Sequence, residues 1–195
     1  MTNIDDQHYI NQVIKGDTNA FAALVDHYKD MVYTLALKMV KNREEAEEVA
    51  QDTFIKVYKS LDKFKGESKF STWLYKVAYN TCLDRLKKHN REKTVVTIDD
   101  YAEYGVTTIC NIFESIEAKE RKQLIQQCLD LLPGEDSFLL TLYYFEEQSV
   151  NEISKIIGIS TNHVKIRLFR SRKKLTAVFK QHLEPEISKY YENES

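Results

Sequence analysis

Apolar residues return at three- and four-residue steps along most of this chain, and almost nothing interrupts them. Glycine and proline together number 7 of 195 residues, where average usage would give about 12%. Sheets joined by tight turns consume both residue types, so the scarcity predicts helices. With 43% hydrophobic and 30% charged residues, the chain has enough apolar material for a core, and disorder is not expected. No apolar run reaches the length of a membrane span, so no membrane insertion is expected. The polar, acidic start (Met1 to His8) resembles neither a secretory nor a mitochondrial signal. Cys82, Cys110 and Cys128 lie far apart without CxxC spacing. They read as reduced core fillers in a cytoplasmic protein.

The apolar steps divide the chain into two helical blocks. A short helical segment holds Tyr9, Ile10, Val13 and Ile14, and Gly16-Asp17 ends it and caps the next. Phe21, Leu24, Val25, Tyr28, Val32, Leu35 and Met39 then define a long amphipathic helix. Asn42 is the expected cap of a third helix, with four glutamates at its positive end. That helix buries Ala46, Val49, Ala50, Thr53, Phe54, Val57 and Leu61, and turns Glu45, Glu48, Gln51, Asp52, Ile55 and Lys59 outward. After a loop at 63–70, Ser71 is the expected cap of a helix running to about His89. It would bury Leu74, Val77, Ala78, Thr81, Cys82 and Leu86, and expose Trp73, Lys76, Asn80, Asp84 and Lys87. Periodicity then fails over residues 91–113, where a short stretch with β character, Thr94 to Ile98, precedes acidic residues. This segment reads as a flexible acidic linker.

Helical spacing resumes near Ile112 and stops before Pro133-Gly134. Ser149 and Glu152 have the offset of a capping box. The short helix they open ends at Gly158, and Ser160 is the expected cap of a last helix to about Gln181. Ile153, Ser154, Ile157, Gly158, Ile159 and Val164 have helix-turn-helix spacing. The predicted fold is therefore all-α: two small helical domains joined by a flexible linker, the second containing a helix-turn-helix.

Charge gives this motif a task. Lys165, Arg167, Arg170, Arg172, Lys173 and Lys174 fall within ten residues with no acid among them, the footprint of phosphate binding. Val164, Leu168, Leu175 and Val178 would seat the helix. The opposite stripe holds Asn162, Ile166, Phe169, Arg170 and Lys173. Apolar residues that face away from a core call for a cover. A major groove could supply it, and so could a masking protein.

These motifs together resemble a known family, the extracytoplasmic-function (ECF) sigma factors, small alternative specificity subunits of bacterial RNA polymerase. The resemblance spans roughly residues 9–182. It rests on Gly16-Asp17 with Ala20-Phe21, on Glu44 through Phe54, on Phe70 through Thr81, and on Glu152-Ile153-Ser154 with Arg167 through Leu175. It implies sigma region 2 at 1–90, the linker at 91–113, sigma region 4 at 114–182 and a polar tail at 183–195. Glu48, Gln51, Asp52 and Ile55 would contact core polymerase. Asn80 would hold a flipped base of the minus-ten element, with Lys65, Lys69, Trp73, Lys76, Tyr79 and Lys87 around the unpaired strand. Trp73 is equally readable as core. Asn162, Lys165, Ile166, Arg167, Phe169, Arg170 and Lys173 would read the minus-thirty-five duplex. The implied partners are core RNA polymerase, promoter DNA and an anti-sigma factor, and no cofactor or metal is expected.

Three other classes compete, and one of them, an inhibitor or adaptor that only binds protein, leaves the six cations within ten residues of the last helix unexplained. A free-standing helix-turn-helix regulator would carry an N-terminal sensing bundle with a ligand pocket. An enzyme would need a phosphate loop, a dinucleotide fingerprint or a metal-ligand cluster. The sequence holds none of these motifs, and His8, His27, His89, His163 and His182 are scattered.

Overall fold

The computed structural model describes residues 6–90 and 118–182. The linker at 91–113, its β-like stretch, the expected helix start near Ile112, Cys110 and the tail at 183–195 lie outside the described residues. Among the described residues are eight α-helices and one 3-10 turn: α1 (Asp6–Ile14), α2 (Thr18–Val40), α3 (Arg43–Ser60), the turn Leu61–Lys63, α4 (Phe70–Asn90), α5 (Ala118–Leu131), α6 (Gly134–Tyr144), α7 (Val150–Ile157) and α8 (Thr161–His182). No described helix is long and apolar enough to cross a membrane.

Local chemistry sets most of these boundaries. Gly16 takes a φ of 100° and ends α1, a conformation that costs glycine little. Asp17 then caps α2 by accepting from the backbone N–H groups of Asn19 and Ala20. Asn42 caps α3 through the Glu45 N–H. Ser149 and Glu152 form the reciprocal capping box of α7, and Gly158 closes that helix at a φ of 73°. Ser160 caps α8, its hydroxyl accepting from the His163 N–H. The expected cap at Ser71 is corrected: α4 begins one residue earlier, at Phe70. Phe70 is buried among Tyr28, Phe64 and Trp73, at centroid distances of 5.5, 5.7 and 5.9 Å. That burial draws Phe70 into the first turn.

Block one packs α1 to α4 around Leu24, Val32, Leu35, Val57, Leu74 and Ala78. Block two packs α5 to α8 around Leu129, Phe138, Leu142, Ile153, Val164 and Phe179. Cys82 and Cys128 are buried and free. Burial pushes their thiols up to about 12 and about 11, so both stay protonated fillers at neutral pH. The blocks also pack against each other: α2 lies on α6, and α4 lies on α7.

Candidate polymerase and nucleic-acid interfaces

On α3 the expected outward face is outward. Glu48, Gln51, Asp52 and Ile55 are exposed, while Ala46, Val49, Thr53 and Val57 are buried beneath them. Glu48 is partly committed, because its carboxylate pairs with Arg85 of α4. Lys56 ties the same two helices together, reaching Thr81 at 3.2 Å and Asp84 at 3.3 Å. A face of two acids, an amide and a half-exposed isoleucine offers a protein partner both charge and apolar area.

The α4 stripe is narrower than its sequence suggests. Lys76, Asn80 and Lys87 are exposed on one line of the helix, and Lys65 is exposed in the preceding loop. Trp73 is half-buried, tilted against Phe64 at 5.5 Å and Phe70 at 5.9 Å. Tyr79 is buried, its ring 5.2 Å from Phe138 of block two. Burial pushes the Tyr79 hydroxyl up, the Glu135 carboxylate adds to this, and Arg167 opposes it. Lys69 is exposed but paired with Glu152 of α7 at 3.0 Å. So Lys76, Asn80, Lys87 and Lys65 face solvent together, while Tyr79, in this arrangement, has no open face for a base.

On α8, Val164 and Leu168 seat the helix in the core, and Val178 and Phe179 anchor its far end. The Ser154 hydroxyl donates to the Ile159 carbonyl, which ties the first helix of the motif to its turn. Asn162, Lys165, Ile166, Phe169 and Arg170 are exposed. Ile166 and Phe169 keep 47% and 50% of their surface, a share that no contact among the described residues covers. Lys173 lies over the Phe169 ring at 4.9 Å.

The six clustered cations are not equivalent. Arg167 turns to Glu135 of α6. Lys174 pairs at 2.8 Å with Asp136, which also accepts from the Ser171 hydroxyl. Arg172 stacks over Tyr143 and Tyr144, at 5.2 and 5.6 Å. Lys165, Arg170 and Lys173 therefore supply the outward charge. Sequence reasoning missed Glu135 and Asp136 as the acids that engage this cluster. Both stand in the first turn of α6, where acids also favour the helix dipole.

The rival sensor reading expects an enclosed ligand cavity in block one. What block one shows is an open surface groove lined by Val13, Ile14, Tyr58, Lys59, Leu61 and Asp62.

Comparison with known proteins agrees with this division into blocks. Residues 24–92 match the family described as Sigma-70 region 2, and residues 122–175 match Sigma-70, region 4. The chain is 36% identical over 172 residues to the ECF RNA polymerase sigma factor SigW of Bacillus subtilis, covering 85% of this chain and 92% of that one. It is 34% identical to the RNA polymerase sigma-H factor of Pseudomonas aeruginosa, covering 88% and 92% of the two chains. The chain belongs to the ECF sigma factors. As a member it is an alternative sigma factor that serves transcription initiation, in a family of initiation factors rather than enzymes. Its fold is similar to that of the sigma factor RpoE solved in complex with the anti-sigma factor NepR from Bartonella quintana. That likeness has a TM-score of 0.61 at 20% identity, over 82% of this chain and 96% of that one. In this ECF sigma factor the region 2 match takes in α3 and α4, and the region 4 match takes in the helix-turn-helix.

Proposed function

We propose that this sigma factor performs initiation with three separate surfaces. The α3 face of Glu48, Gln51, Asp52 and Ile55 docks on core polymerase. The α4 line of Lys76, Asn80 and Lys87, with Lys65 and Lys69 of the preceding loop, receives the unpaired minus-ten strand. Asn80 offers a base edge both donors and an acceptor, and the lysines offer charge to the phosphates. Trp73, and Tyr79 where its ring is freed from Phe138, are the aromatic residues on which an unstacked base would lie, at about 1–3 kcal/mol per base. The α8 stripe of Asn162, Ile166, Phe169, Arg170 and Lys173, flanked by Lys165 and Arg167, reads the minus-thirty-five duplex from the major groove.

The observation that carries this reading is the exposed stripe of α8. Ile166 and Phe169 stand half-exposed among Lys165, Arg170 and Lys173, on the side of the helix opposite its core seat. Apolar side chains among cations suit thymine methyls between phosphates. No bond chemistry is needed, because base sites available only to separated strands convert binding energy into melting. Regions 1–90 and 114–182 are the proposed functional domains, joined through 91–113, and the protein acts in the cytoplasm. An anti-sigma factor that covers Ile166 and Phe169 would silence the same surface.

The test is transcription in vitro with purified core polymerase on a library of promoter DNA. The chain should select start sites, and Asp52→Lys should abolish co-elution with core polymerase while leaving the circular dichroism spectrum unchanged. Retained co-elution would move the polymerase contact off α3.

A further inference from the structure

Helix α3 opens with Glu44, Glu45, Glu47 and Glu48, a run that suits the positive end of a helix. The same run has a cost along the docking face. Glu44, Glu48 and Asp52 follow one another at four-residue steps, in one row, and like charges at that spacing repel. Left to itself, the long Glu48 side chain would swing away from both neighbours and sample many rotamers.

Helix α4 supplies the restraint. Its last turns carry Arg85, Lys87 and Lys88, and the fold separates them. Lys87 and Lys88 are exposed, while Arg85 turns toward α3 and keeps 23% of its side-chain surface. Its Nη2 donates to the Glu48 carboxylate. Its Nε lies 3.9 Å from the Glu45 carboxylate, near enough for charge attraction and too far for a hydrogen bond. That buried Nε has no hydrogen-bond partner among the described residues, so the guanidinium is held there by charge and packing. Glu45 is 22% exposed and Glu48 60%. Arg85 is therefore braced on the inner carboxylate and grips the outer one. A planar guanidinium can span two carboxylates in this way, whereas an ammonium is a single point of charge. The grip offsets part of the repulsion along the row and leaves Glu48 open to a partner.

A second tie joins the same two helices without touching that row. Lys56 of α3 reaches Thr81 and Asp84 of α4, and it orients none of the carboxylates on the docking face.

We propose that Arg85 is a positioning residue for polymerase docking: braced by Glu45, it holds the Glu48 carboxylate in the pose that core polymerase accepts. This rests on the docking reading of α3 above. Arg85 acts through Glu48, by ordering before docking a side chain that would otherwise have to be ordered during it.

The experiment titrates the full chain, fluorescently labelled, with purified bacterial core polymerase and reads the dissociation constant, with thermal unfolding of each variant alongside. Arg85→Gln should weaken binding by roughly fivefold, the scale of one rotamer-rich side chain immobilised on association. Glu48→Gln should weaken it as well. In the Glu48→Gln background Arg85→Gln should cost nothing further, because no carboxylate is left to aim. Lys56→Met, which cuts the other tie, should bind as the wild type does. Arg85→Lys is the milder change, and it keeps the cycle readable should Arg85→Gln fail to fold. It should weaken binding less than Arg85→Gln, and again only while Glu48 is present. An equal loss with and without Glu48, or a matching loss in Lys56→Met, would make Arg85 a mere helix tie and overturn the proposal. Unchanged binding of Arg85→Gln overturns it too, and so does tighter binding, which would mean that Arg85 occupies a carboxylate that polymerase needs. If Glu48→Gln and Asp52→Lys both bind as the wild type does, the α3 docking reading itself fails. If those two bind weakly and Arg85→Gln does not, the proposal fails and the docking reading stands.

Discussion

Helices α4 and α8 look alike in sequence. Both are long, both bury an apolar stripe, and both present basic residues on the opposite side. In the folded chain they differ. α8 is held by α5, α6 and α7 from one side, and its stripe from Asn162 to Arg170 stays open. α4 is held by α2 and α3 on one side and by α7 on another. Tyr75 and Tyr79 disappear into the second contact, at 2% and 7% exposure, leaving a thin line of Lys76, Asn80 and Lys87. The difference teaches that an outward stripe in a sequence states only what the helix's own block leaves uncovered. What a second block then covers is a separate matter of free energy.

Removing the second contact should have the largest effect. Phe138→Ala deletes a fully buried ring that serves both the core of block two and the cover of Tyr79. A loss of about 3–5 kcal/mol is expected, measured by urea denaturation. A loss below about 1 kcal/mol would mean that α4 and block two are not coupled through this ring.

On the open helix the expected effect is on binding rather than stability. Arg170→Ala should cost about 1–3 kcal/mol at the specific upstream element, measured by footprinting of the polymerase complex, with the melting temperature unchanged. Ser149→Ala removes the cap that orients the first helix of the motif and should destabilise block two by about 1 kcal/mol, measured by thermal unfolding.

The smallest effect sharpens the comparison most. Arg167 is a cation of α8 by sequence but a partner of Glu135 by structure. Arg167→Ala should lower stability by under about 1 kcal/mol, as for a partly exposed pair, and should weaken duplex binding less than Arg170→Ala does. Equal losses in a side-by-side mobility-shift titration would give Arg167 the same weight at the duplex as Arg170.

The elements were legible because their causes are local. Asp17, Asn42 and Ser160 cap through groups two or three residues away, and the Ser149–Glu152 box with Gly158 fixes the short helix of the motif. The one misplaced start, Phe70 rather than Ser71, arose where a distant contact, the ring of Tyr28, outweighed a local cap. The candidate surfaces were legible in part. Glu48, Gln51, Asp52, Ile55, Asn80, Ile166 and Phe169 face solvent as their spacing implied. Trp73, open between two readings, is half-buried among aromatics.

The sequence by itself determined the helices, their caps, the helix-turn-helix and the side of each helix that its own block would bury. All of these follow from forces that act within one or two turns of the chain. Only the tertiary structure decided that Tyr79 lies under Phe138, that Lys69 answers Glu152, and that three of six clustered cations are engaged by residues of α6. Those outcomes join residues tens of positions apart, whose meeting depends on how whole helices stack, and no local spacing encodes that.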